Sequence, residues 1–199
     1  MLREQFGNIV GGERALVVAD ELLNRHREAH RRYHGVAHLI HVVTAVNAAA
    51  ASGAVVVAAW FHDAVYNPRS STNEADSAEL ARARLRECGC AAAFVADVER
   101  LVLATREHLP TQTDEALLID ADLAVLAAAP DVYDGYVAGI RSEYAHVTDE
   151  QWSHGRRRVL EGFLAQPCLF YTGETASHEA AARANIEREV RTLRSAPFS

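Results

Sequence analysis

The chain has 199 residues, 49% of them hydrophobic and 24% charged, with a net charge of -7 at pH 7. These proportions exclude a disordered or fibrous chain, and the length suits one domain spanning 1–199. The negative charge argues against a nucleic-acid polymer as partner, because such a binder must neutralise many phosphates.

All 20 cationic side chains are Arg. Schiff-base and phosphate-loop lysine chemistry are therefore excluded, and an anion must be held by Arg, His, a metal or backbone N–H groups. No stretch approaches the ~18 apolar residues of a membrane span, and Met1-Leu2-Arg3-Glu4-Gln5-Phe6 lacks the apolar core of a secretory signal. An odd set of cysteines, Cys88, Cys90 and Cys168, suits a reducing compartment. The expected location is cytoplasmic.

Periodicity is helical nearly throughout and no alternating strand stands out. The expected architecture is all-α, a bundle of about nine helices. They run over Gly12–Arg32, Val36–Ser52, Ala54–Val65, Asn73–Cys88, Ala91–His108, Glu115–Ala128, Asp131–His146, Asp149–Ala165 and Thr175–Ser195. Ser71 with Glu74 and Thr148 with Gln151 fit the Ser/Thr-x-x-Glu/Gln capping box. Pro130 sits where a first helical residue would, and Pro110 and Pro167 fall in breaks. Cys88-Gly89-Cys90 is spaced too tightly for a zinc knuckle and reads as a helix end with Gly89 just past it. Trp60, Phe61, Phe94 and Phe163 read as core.

Three places carry chemistry. His26, His30, His34 and His38 step by four, with His41 three further on, so a continuous helix would carry them along one side. Gly35 weakens that helix and can split the stripe. His26 and His30 read as part of a solvated polar face with Arg25, Arg27, Arg31 and Arg32. His62-Asp63 ends the apolar run Ala54–Phe61. Ionisable neighbours there are costly unless they are paired or bind a metal, and an imidazole with a carboxylate suits Mn, Fe, Zn, Mg or Co. Asp120 and Asp122 interrupt the apolar segment Leu117–Leu126. About 200° apart on a helix, one can face an inner site while the other meets solvent or a second partner.

The order His38-Leu39-Ile40-His41, Trp60-Phe61-His62-Asp63-Ala64-Val65-Tyr66 and Asp120-Ala121-Asp122-Leu123 resembles the HD superfamily of metal-dependent phosphohydrolases. It is similar in particular to a subgroup of small bacterial predicted HD phosphohydrolases. That subgroup shares Tyr33-His34 with His38, Asn73-Glu74 with Ser77-Ala78, Ile140-Arg141 with Glu143-Tyr144, and Ala182-Arg183 with Asn185. The Ala-Asp-x-Leu context of the last motif selects Asp122 over Asp120. In the alarmone hydrolases of the superfamily, the third and fourth residues after the motif Asp are acidic. Here they are Tyr66 and Asn67, which argues against that pyrophosphate as substrate.

The resemblance implies a single-domain HD-type bundle that holds a divalent metal ion (Mn, Mg, Co, Ni, Fe or Zn) through His38, His62, Asp63 and Asp122. Activated water would then cleave a phosphate monoester or a nucleotide phosphate. Asp63, Glu74 and His34 are the catalytic candidates; a capping role with Ser71 explains Glu74 equally well. Arg141, Arg156 and His108 are the substrate-binding candidates, since a planar fork matches phosphate oxygens and a cation suits the helix end at His108. The partner implied is a small phosphorylated substrate or nucleotide, with no membrane; a homodimer is left open. Two other readings stand beside this one. A di-iron HD-type oxygenase or hydratase would need further ligands, for which only His108 and His34 offer themselves. A non-catalytic nucleotide- or partner-binding module needs none.

Overall fold

The computed structural model describes residues 2–173 and 176–195. Among them there is no strand, and the fold is all-helical. The helices are α1 (Leu2–Val10), α2 (Ala15–Arg25), α3 (Val36–Ala48), α4 (Gly53–Phe61) and α5 (Asn73–Glu87). They continue with α6 (Ala92–Ala104), α7 (Thr113–Leu123), α8 (Pro130–Glu143), α9 (Asp149–Ala165) and α10 (Glu179–Ser195). Short 3-10 turns cover Ala124–Ala127 and Ala176–His178. The expected helix start at Thr175 lies outside the described residues. No helix among those described is long and apolar enough to cross a membrane.

The chain forms two compact units, 1–121 and 122–199, with the division inside the last turn of α7. The first unit is built on α4. Its seven consecutive residues Val55–Phe61 are all buried, as expected of a helix apolar on every side. It packs against α1, α3, α5 and α6. In the second unit α10 packs on α9 and on the 3-10 turn Ala124–Ala127, burying Leu126, Tyr133, Leu160, Ile186 and Val190.

The described residues hold ten α-helices rather than about nine, the addition being α1. Gly7 and the following Gly11-Gly12 lower its propensity, but Phe6 and Val10 lie on one face and are buried. Phe6 sits 5.1 Å from Trp60 and 6.2 Å from Phe61, ring centre to ring centre. Burying one such ring contributes about 2 kcal/mol, enough to override a weak local preference.

Two caps come out differently. The box at Thr148 and Gln151 forms in both directions. The one at Ser71 and Glu74 does not: α5 starts at the expected Asn73 with Thr72, not Ser71, at its cap, and the Thr72 hydroxyl donates to Asp76 Oδ2 at 2.8 Å. Pro130 is the first residue of α8, and Gly89 lies just past α5 at φ +79°.

Candidate metal centre

Helix α4 stops at Phe61, four residues short of the expected Val65. Past its end His62 keeps helical dihedrals (φ -54°, ψ -37°) and donates its N–H to Ala58 O at 2.9 Å, and Ala64 N–H then closes a tighter turn on Phe61 O at 2.9 Å. The freed backbone groups find partners elsewhere: Val65 N–H donates to Ser77 Oγ at 3.0 Å, and the carbonyls of Asp63 and Ala64 accept from Arg31.

His62 Nδ1 lies 2.9 Å from Ala59 O. A carbonyl only accepts, so Nδ1 carries the proton and Nε2 of the neutral ring offers a lone pair. That Nε2 lies 3.2 Å from Asp63 Oδ2 and 3.1 Å from Nε2 of His38, which stands in the first turn of α3. Asp63 Oδ2 is 3.5 Å from His38 Nε2. Asp122, in the last turn of α7, completes a group with His38 and His62 in which one ligand atom from each lies within 4.8 Å of the others.

The donor chemistry fits a divalent cation. A lone pair on His62 facing a carboxylate oxygen is an acceptor against an acceptor, stable only with a shared proton or a cation between them. Both imidazoles are buried. Burial works against charge on Asp63, but in the shared-proton case positive charge on the neighbouring imidazoles and their hydrogen bonds outweigh it and hold its carboxyl well below the usual carboxylate range. An anionic oxygen beside imidazole nitrogens is a hard and borderline ligand mix, and the proton on His62 Nδ1 is anchored as the far nitrogen of a metal-binding His should be.

Around the centre, His34 is half-buried, with its ring 4.2 Å from Tyr66 and 5.8 Å from His38. His30 is exposed, lies parallel to the Tyr66 ring, and its Nε2 is 2.8 Å from Tyr66 O. The solvated-face reading fails for two neighbours. Helix α2 ends at Arg25, so His26 caps it from within the structure and is only 2% exposed. Arg31 is buried as well, its guanidinium 5.4 Å above the Tyr66 ring and donating to the carbonyls of His34, Asp63 and Ala64. Backbone carbonyls take Arg31, and such partners leave no mark in the sequence.

The remaining candidates are placed as follows. Glu74 is half-buried in the first turn of α5 and is not one of the cluster residues. Asp120 is buried in α7 and Asp122, not Asp120, joins the two imidazoles. His108 lies beyond α6, which ends at Ala104, and takes a left-handed backbone at φ +51°. In the second unit, Arg141 donates to Tyr144 O, Val147 O and Asp149 Oδ1, tying the end of α8 to the start of α9. Arg156 is buried against Glu189 (2.8 Å) and the Tyr136 hydroxyl (3.0 Å). Both forks are thus engaged by the protein itself. Cys88, Cys90 and Cys168 are free thiols.

No family model, no curated protein and no solved structure matches the chain.

Proposed function

We propose that the chain is a divalent-metal-dependent phosphohydrolase of the HD type, cleaving a phosphate monoester or nucleotide phosphate. One observation carries the reading. The His62 lone pair and the Asp63 carboxylate face each other at 3.2 Å, and His62 also forms a metal-competent group with His38 and Asp122. The resemblance of these four motif residues to the HD pattern supports it independently.

His38, His62, Asp63 and Asp122 would hold the ion. A metal so held polarises a phosphoryl oxygen and lowers the pKa of its water to about 7. The chain's own residues set the conditions for this. Ala59 O fixes the His62 tautomer, so that Nε2 is the nitrogen facing Asp63. His34, packed on Tyr66 at the margin of the cluster, supplies a ring nitrogen for a phosphoryl oxygen. Glu74 stands at the start of α5 as the carboxylate for orienting water.

The test is phosphate release from monoesters and nucleotides by metal-analysed protein supplied with Mn, Mg, Co or Ni, beside Asp63→Ala. The expected result is metal-dependent turnover that falls more than the ~10–100-fold typical of a supporting residue, with unchanged far-ultraviolet circular dichroism. Equal turnover by Asp63→Ala would overturn the assignment.

A further inference from the structure

The loop between α2 and α3 carries a buried cation whose partners lie on both sides of the cluster. Arg31 has a side-chain exposure of 0%, which for a permanent cation is costly without partners. Its partners are specific. Nη1 donates to Asp63 O at 2.7 Å and to His34 O at 3.1 Å, and Nη2 donates to Ala64 O at 3.2 Å. Nε donates to Glu28 Oε2 at 3.1 Å.

Two of those carbonyls belong to the turn that carries Asp63, directly after His62. The third belongs to His34, whose successor Gly35 caps α3 in an extended conformation (φ -103°, ψ -165°), one turn before His38. One guanidinium therefore spans the segment that ends α4 and the segment that begins α3. The 3.1 Å approach of His38 Nε2 to His62 Nε2 depends on the relative placement of those two segments.

From this geometry, and resting on the metal-centre reading above, we infer that Arg31 is the positioning residue of the cluster: it sets the spacing of His38 against His62 and Asp63 by clamping the backbone on both sides. It touches no proposed ligand atom and acts only through main-chain carbonyls. Arg suits the task where Lys does not. Five N–H donors in a rigid plane can serve three carbonyls and a carboxylate at once, whereas an ammonium has three donors on a flexible stem.

The test is direct binding of Co2+ or Mn2+ by calorimetry, with the visible spectrum of the Co2+ form as a second readout. The variants are Arg31→Gln and Arg31→Lys. Arg84→Gln serves as control, because Arg84 pairs with Glu21 on α2, outside the metal cluster. Arg31→Gln is expected to weaken binding about 10–100-fold, as loss of a supporting partner does, and to alter the Co2+ spectrum. Arg31→Lys is expected to bind between wild type and Arg31→Gln, and Arg84→Gln to bind as wild type does even if its melting temperature falls. Wild-type affinity and spectrum in Arg31→Gln would overturn the inference. So would wild-type affinity in Arg31→Lys should Arg31→Gln fail to fold. If the wild-type chain binds neither metal, the metal-centre reading falls and this inference with it; if wild type binds and the Arg31 variants bind equally well, only the inference falls.

Discussion

His26 donates its Nδ1 proton to the carbonyl of Leu22 at 2.9 Å, and its other ring nitrogen, Nε2, is buried with no hydrogen-bond partner. The arrangement accepts a neutral imidazole and rejects a charged one. Burial, aided by the nearby charge of Arg31, pushes the group from 6.5 down to about 4.

A pH dependence of stability follows. Between pH 4 and 6.5 the unfolded chain binds a proton at His26 that the folded chain does not. Stability from this group is therefore intact above 6.5 and is lost as pH falls toward 4, by about 3 kcal/mol in all. Urea unfolding with chelator present, in wild type and His26→Leu, measures it. At pH 7 the variant is expected to be the weaker, having lost its bond to Leu22. That gap is expected to close by about 3 kcal/mol toward pH 4; two parallel curves would refute the account.

Glu189 is the hub of the second unit. Its Oε2 accepts from the Tyr133 hydroxyl at 2.6 Å and from Arg156 Nη2 at 3.1 Å, and its Oε1 accepts from Arg156 Nε at 2.8 Å. Burial opposes the charge on Arg156, yet Tyr136 and Glu189 hold its pKa above the ordinary value. Glu189→Gln keeps an acceptor for Tyr133 but leaves a buried guanidinium uncompensated, at a cost of about 3–5 kcal/mol. Arg156→Met combined with Glu189→Leu removes both charges and is expected to cost well under the sum of the single changes. Additive losses in urea unfolding would show that the pair is not coupled.

These two sites mark where the sequence is informative and where it is silent. Asp63 and Asp122 announce themselves because a carboxylate at the end of a run such as Val55–Phe61 or inside one such as Leu117–Leu126 needs a partner. The helices around them follow from apolar periodicity, and α9 from its cap at Thr148. His26 and Arg31 carry no such mark. They stand in a segment dense in Arg and His that looks solvated, and what buries them is a set of main-chain carbonyls, which any residue type can supply. Helix α1 is hidden for a related reason: Gly7 argues against it locally, and only the distant rings of Trp60 and Phe61 argue for it. Arg141 and Arg156 were plausible anion clamps by residue type, but type does not reveal that Asp149 and Glu189 already face them.

The helix stop at Gly89 gives the sharpest test of a local rule. Gly89 N–H donates to Arg86 O at 2.9 Å and Cys90 N–H donates to Leu85 O at 3.0 Å, the paired bonds that close a helix through a left-handed residue. Its φ of +79° is open to glycine but strained for other residues, while a Cβ added there would meet nothing within 4 Å. Gly89→Ala is therefore expected to cost about 1–2 kcal/mol through the backbone alone, with Asn, which tolerates this conformation better, costing less. Gly135, inside α8, is equally unobstructed and has an ordinary φ. Gly135→Ala is expected to gain up to about 1 kcal/mol, because Ala loses less freedom in a helix. The same chemical change should thus move the urea midpoint in opposite directions at the two sites, and a shift of the same sign at both would mean that backbone conformation is not what selects glycine at position 89.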